Sequence, residues 1–399
     1  MKNKKRLFML LTILIVGLCC ALNSFAAGRG VSDDTIKMGL IMARTGPIAV
    51  LGISCGSGVL DNYKDTNDQG GIHGRKVEVI WEDDQFKTPQ CIAKFKKLIF
   101  RDKVLSIVNA GTPQTIALFD LIEKYQSVDI PMGLAEEMYE PIKPYIFSLG
   151  ATYETQIQLM FDYIMNDLKA KDPRIAIVYC ETEFGKKGLY AARKRAEDYG
   201  MNLVTELVLP IGVVDASSQV LALKKGNVDY VLSCNNVPEI IVFLKTAEKF
   251  DYWPMTFGVN FSSDNIVVKS CKTAAKNYIG VNFVGGWFDD TPGMKKVRGL
   301  AEKNNRDPNK MLTSVYTIGV GLSSVLIEGL TRAGKNLTPE SFKDALETLR
   351  EFDTEGIVPP VTYTSTSHAP ANQAKLFRAD VQQGVLVSLT GWRKPKVLQ

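Results

Sequence analysis

The chain has 399 residues, 45% of them hydrophobic and 23% charged, with 48 Lys and Arg against 43 Asp and Glu. That is enough apolar material for two sizeable cores, and it excludes a disordered or collagen-like polymer. Four of the basic residues and none of the acidic ones lie in residues 1–26, so the remainder is within one charge of neutrality and no nucleic-acid face is expected.

Lys2, Lys4, Lys5 and Arg6 precede the apolar run Leu7 to Leu22, and Ser24-Phe25-Ala26 before Ala27 fits a small-x-small cleavage site. Residues 1–26 therefore read as a signal peptide for export. The run is short for a membrane span, and no later stretch is expected to be long and apolar enough to cross a bilayer. Cys19 and Cys20 suggest lipid attachment, but Leu18 stands where a small residue is expected. Five cysteines remain, Cys55, Cys91, Cys180, Cys234 and Cys271, with no Cys-x-x-Cys pair and only His73 and His368. That argues against a zinc site and a His-based triad, so neither a metal nor a cofactor is expected. Disulfides are permitted after export, and an odd count leaves at least one thiol free.

Ile36 to Met42 reads as a buried strand, followed by the loop from Ala43 and a helix over roughly Gly52 to Asp68 that stops at Gly70-Gly71. Arg75 to Trp81 is a second strand, and Thr88-Pro89 opens a helix to about Asp102. Val104 to Val108 is a third strand, broken at Asn109-Ala110-Gly111-Thr112-Pro113. Helical spacing follows to Lys124, with Thr112 as candidate N-cap and Pro113 in the first turn. Ser127 to Met132 is a fourth strand. The pattern then restarts: helix Thr152 to Lys169, strand Ile175 to Tyr179, helix Lys186 to Tyr199, strand Asn202 to Leu209, helix Ala216 to Lys224, strand Tyr230 to Ser233, helix Glu239 to Phe250, and strands Met255 to Val259 and Ile279 to Val284. Pro292 to Phe352 is helix-rich, including Ser314 to Arg332, and is expected to return to the first lobe. The tail reads as short antiparallel strands at Val361 to Thr364 and Gly384 to Trp392. Strands alternating with helices imply parallel sheets, here two doubly wound α/β lobes.

In such sheets a ligand sits outside the carboxyl ends of the strands, at the switch in strand order. With strand order 2-1-3-4-5, this gathers Thr45 to Gly52, Asn109 to Thr112 and the region of Glu136 in the first lobe. In the second it gathers Glu181 to Phe184, Asn235-Asn236 and Asn260-Phe261. The turn at Gly111-Thr112 offers free N–H groups at a helix start, suited to a carboxylate or another acceptor. The same order puts Cys180 and Cys234 at neighbouring strand ends, as a pair or as two buried thiols. Cys55 and Cys91 lie on the first two helices as a possible disulfide. The acidic runs Glu82-Asp83-Asp84 and Asp289-Asp290 are expected to be solvated loops and not paired catalytic carboxylates, so no enzyme is expected.

Ile36-Lys37-Met38-Gly39-Leu40 with Thr45-Gly46-Pro47, and Asn67-Asp68-Gln69-Gly70-Gly71-Ile72 with Gly74-Arg75, resemble the leucine/isoleucine/valine-type periplasmic binding proteins of ABC transporters. Asp83-Asp84, Gly111-Thr112, Phe184-Gly185 and Val237-Pro238-Glu239 follow the same order. The resemblance implies two Rossmann-like lobes joined by a three-crossover hinge, with ligand in the interlobe cleft. The lobes would be 31–148 plus about 289–353, and 149–288 plus about 354–399. It implies a periplasmic, monomeric receptor for a small-molecule solute, amino-acid-like or another carboxylate or amide, delivered to an ABC permease in the inner membrane. A ligand-sensing subunit of a signalling system is the alternative.

The strand-end reading and the resemblance together give the expected ligand positions Leu51, Asn109, Gly111, Thr112, Leu134, Glu136, Tyr153, Phe184, Asn236, Asn260 and Phe261. Three depart from the family pattern. Leu134-Ala135-Glu136 replaces an Ala-Thr pair, Leu51 falls at an aromatic position, and Asn260 falls where an acidic partner for the ligand ammonium is usual. An Asn cannot neutralise a buried ammonium, so an ordinary branched-chain amino acid is doubtful and Glu136 is the substitute acid offered from the other lobe.

Overall fold

Two parallel sheets organise the chain. The computed structural model describes residues 28–369 and 372–398; the export segment read at 1–26 lies outside the described residues. In the first sheet β1 (Thr35–Ile41) lies between β2 (Lys76–Glu82) and β3 (Ser106–Asn109), all parallel. β1 is buried along most of its length, as its apolar run demands of a strand covered on both faces. Around it pack α1 (Ala49–Asp68), α2 (Thr88–Lys97) and α3 (Thr112–Lys124).

The expected fourth strand, Ser127 to Met132, is only an extended segment. Ile107 donates to the Val128 carbonyl and Met132 donates to that of Asn109, but the Asn109 N–H between them goes to the Asp129 carboxylate at 3.2 Å. The side chain takes the bond that would have continued the ladder.

The second sheet has the order β10-β9-β8-β7-β6-β4-β5. Its parallel part is β4 (Ile175–Tyr179), β5 (Glu206–Val208), β6 (Tyr230–Cys234), β7 (Met255–Gly258) and β8 (Tyr278–Asn282). That is the expected 2-1-3-4-5 order. Interspersed are α4 (Tyr153–Asp162), α5 (Glu183–Asp198), α6 (Ser217–Lys225), α7 (Val237–Lys249) and α8 (Asn265–Cys271). The last was not read from the sequence; Asp264 starts it by accepting from the Ile266 N–H at 3.0 Å.

The tail meets expectation in part. The strand expected within Gly384 to Trp392 is β10 (Val385–Ser388), antiparallel to β9 (Lys375–Asp380), which was not read from the sequence and in turn joins β8, whereas Val361 to Thr364 makes only isolated bridges.

Between the sheets' return segments lie α9 (Pro292–Lys303), α10 (Thr313–Ala333) and α11 (Pro339–Leu346). α10 is long and apolar enough to cross a membrane, contrary to the sequence reading, but most of its length is buried inside the protein. It packs along α1. Asn62 reaches Ser323 Oγ at 2.9 Å, Ser54 Oγ accepts from the Leu312 N–H at 3.0 Å, and Asp61 takes both Arg306 nitrogens at 2.7 and 2.8 Å together with the Tyr316 hydroxyl at 3.0 Å. The chain passes between the sheets three times, before α4, after β8 and after α11. The crossings are tied to one another by Gly285 N–H to Ile357 O at 2.9 Å and by Tyr363 OH to Ser148 O at 2.6 Å.

Candidate functional site

The carboxyl ends of both sheets converge on one cavity of about 510 Å³, its mouth included. Each strand contributes through the loop that follows it. Ala43, Ile48, Leu51 and Gly52 come after β1, Phe86 after β2, and Ala110, Gly111 and Thr112 after β3. From the second sheet come Thr182 and Phe184 after β4, Ile211 after β5, Asn236 after β6 and Phe261 after β7; Met132 and Tyr153 complete the wall.

The wall is mostly apolar and, among the described residues, carries no charged side chain. Tyr153, Phe184 and Phe261 form an aromatic corner, with Tyr153 edge-on to Phe184 at 4.8 Å and Phe184 edge-on to Phe261 at 5.6 Å. The Tyr153 hydroxyl lies 3.4 Å from Thr112 Oγ1, and burial pushes its phenol well above the ordinary tyrosine range. Thr112 does not cap α3. Gly111 takes the cap position at φ +102°, which frees the Thr112 hydroxyl. A side chain at Gly111 would be strained by that dihedral and would meet Phe86 at 2.6 Å.

Four helices start at this wall, α1 after Ile48, α3 after Gly111, α5 after Thr182 and α7 after Asn236, and none has a side-chain cap. At α1 the Ala49 and Leu51 N–H groups already donate to the Gly46 and Ile48 carbonyls at 3.2 and 3.0 Å, and Pro113 and Pro238 carry no N–H; the remaining first-turn N–H groups are the main polar resource of the site.

Of the residues singled out from sequence, the structure brings Leu51, Gly111, Thr112, Tyr153, Phe184, Asn236 and Phe261 to the cavity. Four others are elsewhere. Asn109 is tied to the buried Asp129 carboxylate and accepts from Thr115 Oγ1 at 2.7 Å, so it braces the turn from behind. Burial raises the Asp129 pKa well above the usual carboxylate range. Leu134 is core, and its carbonyl receives the Tyr153 N–H at 3.1 Å. Glu136 is exposed and lines a separate crevice with Tyr139, Glu154 and Gln158. It is not the cleft acid that the sequence suggested, because its own N–H is held to Glu154 Oε2 at 3.3 Å at the start of a short helical turn. Asn260 is wholly buried. Its N–H donates to Gln156 Oε1 at 2.8 Å, and its side-chain amide finds no partner among the described residues.

Of the other wall residues, Ile48, Gly52, Ala110 and Thr182 fall inside the ranges that the sequence placed at the crevice, whereas Ala43, Phe86, Met132 and Ile211 were missed. Phe86 and Ile211 carried no signal beyond following a strand end. Gln114 was also missed. It is buried beside Gly111, and its Oε1 has no partner among the described residues.

The acidic run after β2 is only partly the expected solvated loop. Glu82 pairs with Lys94 at 2.9 Å, Asp83 holds the Arg44 N–H and the Thr45 hydroxyl at 2.9 and 2.7 Å, and Asp84 is buried. Asp289 is likewise a brace, 2.7 Å from both Lys375 Nζ and Ser388 Oγ.

The five described cysteines are free and buried, so the Cys55–Cys91 link is not formed and Cys180 and Cys234 are the two thiols of the alternative reading. Burial pushes the Cys55 and Cys91 thiols upward, which suits neutral core groups.

A sequence profile of the periplasmic binding protein family matches residues 35–384. Leu/Ile/Val-binding protein homolog 7 of Brucella abortus (strain 2308) is 24% identical over 236 residues, 57% of this chain and 59% of that protein, so the chain spans less than two thirds of that relative's length. The Leu/Ile/Val-binding protein of Escherichia coli (strain K12) is 24% identical over 339 residues, 83% of this chain and 87% of that protein. Among solved structures, a branched chain amino acid ABC transporter protein from Thermus thermophilus with bound valine superposes with a TM-score of 0.86 at 21% identity, covering 91% of this chain and 97% of that one. A fatty acid ABC transporter substrate-binding protein from Thermomonospora curvata gives 0.84 at 24% identity, covering 92% and 94%. At those identities the structures establish a shared fold.

Proposed function

This chain belongs to the periplasmic binding protein family and is a binding protein, not an enzyme; from that premise we propose that it captures a small amino-acid-like, carboxylate or amide solute and delivers it to the membrane permease of an ABC importer. The observation that carries this reading is the cavity itself, walled by strand-end loops of both sheets. A solute there touches both sides at once. Contacts to both sides exist only when the lobes are together, so binding favours the closed arrangement. We take residues 31–148 with about 289–353 as one lobe and 149–288 with about 354–399 as the other. The packing of α10 on α1 and the pairing of β9 with β8 support that division. The family's location is the periplasm, where an exported receptor meets solutes before they reach the inner membrane.

The test is a thermal-shift and titration screen of the purified protein without residues 1–26, against amino acids, aromatic and aliphatic acids and short amides. Saturable stabilisation by one class, without turnover of the compound, is expected. No stabilising compound across the panel would refute the receptor reading.

A further inference from the structure

We propose that the solute is a hydrophobic monocarboxylate that lacks an α-ammonium group, an inference that rests on the receptor reading above. The starting point is where charge can and cannot be accommodated. Among the described residues no Asp, Glu, Lys, Arg or His lines the cavity. The positive ends of α1 and α3 open on it with no acidic residue in their first turns, whereas α5 and α7 carry Glu183 and Glu239 in theirs. The favourable place for an anion is therefore the Gly111–Thr112 end, where a buried hydroxyl stands beside uncapped N–H groups. A second polar group points to a ligand independently. Asn236 is only 7% exposed, faces the cavity, and leaves its amide out of the α7 cap. Gln114, beside Gly111, can offer either end of its amide, because its oxygen and nitrogen are interchangeable by a half-turn.

The same inventory disfavours an ammonium. Glu154, next to Tyr153 in sequence, lines the separate crevice with Glu136, and Asp129 is tied to Asn109. Asp84 and Glu239 accept the Phe86 and Gly212 N–H groups at 3.0 and 2.9 Å; each keeps one oxygen without a partner among the described residues, but neither lines the wall. Asp264 is engaged by Ser314, and Glu136 faces the other crevice. An amino acid's ammonium would stand against helix N-termini with no carboxylate among the described wall residues to meet it. The body of the solute is specified by the opposite side, where Phe184, Phe261 and Ile211 present apolar surface.

The experiment is calorimetric titration of the chain without residues 1–26 with matched compounds: 4-methylpentanoate, leucine and 4-methylpentanamide, then 3-phenylpropanoate with phenylalanine. The acids should bind on the order of a hundredfold more tightly than the amino acids of the same skeleton, for want of an ammonium partner, and about tenfold more tightly than the amide, for loss of the charge-assisted bonds. Thr112→Val should reduce the acid-over-amide preference at unchanged circular dichroism. An amino acid or amide that binds as tightly as its acid would overturn the inference and leave the receptor reading standing. Thr112→Val with an undiminished acid preference would overturn the placement of the carboxylate. Absence of binding by these and by every other solute screened would remove the receptor reading itself.

Discussion

Gly319 lies where α10 crosses α1, and the crossing permits no side chain. A methyl group there would stand 2.9 Å from the Cys55 carbonyl carbon and 3.0 Å from the Val59 nitrogen, with the Cys55 carbonyl oxygen nearer still. All three are main-chain atoms of α1, so no rotamer change relieves the clash and the helices must move apart. Forcing an extra carbon into a packed interface costs typically about 1–3 kcal/mol, and a main-chain obstacle puts Gly319→Ala at the upper end. Replacing a helical Gly by Ala returns about 1 kcal/mol. The net expectation is a loss of about 1–2 kcal/mol. Gly299, in the middle of α9, supplies the control. It is exposed and has nothing within 4 Å of an added Cβ, so Gly299→Ala should gain about 0.5–1 kcal/mol. Urea denaturation followed by circular dichroism gives the midpoints, which should move in opposite directions. Ile48, Leu51 and Gly52 on or next to the start of α1 line the cavity, so Gly319→Ala should also weaken the solute identified by the screen. If Gly319→Ala is as stable as the parent, the helices are not in the contact described and the reasoning fails.

Two further outcomes are expected. Burial, and then the neighbouring Glu136 charge, raise the Glu154 carboxyl from 4.5 to about 7. The folded protein therefore binds a proton there more tightly than the unfolded chain, so this contribution to stability is complete below pH 4.5 and is lost as the pH rises through about 7. Denaturation at pH 5 and pH 8 should show Glu154→Gln relatively more stable at the higher pH, by about 1–3 kcal/mol, and an equal difference at both pH values would exclude the titration. Alkylation of unfolded, unreduced protein should label all five cysteines, Cys55 and Cys91 included, while the folded protein labels slowly because the thiols are buried; an unlabelled pair linked by mass spectrometry would contradict the structure.

The sequence disclosed the architecture because parallel strands buried on both faces are written as apolar runs, and Gly, Pro and Asn mark where they end. Strand order in the second sheet and the return of the 292–352 section were both legible on that basis. Failures occurred where a side chain replaced a main-chain partner. Asp129 takes a ladder bond from Asn109, and nothing in the run Ser127 to Met132 signals it. Glu136 illustrates a second kind of miss. Sequence placed it at the cleft, whereas it lines a separate crevice: which way a residue faces at the start of a helical turn depends on its partner, here Glu154, eighteen positions later. The wall residues Phe86 and Ile211 needed three-dimensional convergence to be noticed, since neither type nor spacing distinguishes them from core residues. β9 was passed over because its alternation is weak, and its pairing with β8 and β10 rests on the sheet edge being open there.

The uncapped starts of α1 and α3 have an evolutionary reading. The anion preference proposed for them comes from peptide groups and belongs to the backbone path, so it would survive almost any replacement of side chains along the wall. Only the shape and greasiness of the far side, where Phe184, Phe261 and Ile211 stand, are open to revision by point substitution. Such a receptor can change the tail it accepts while keeping the head, and a gene copy needs few changes to take up a new nutrient. Engineering should follow the same division: redesign the aromatic corner to choose the compound, and leave the loops after β1 and β3 alone.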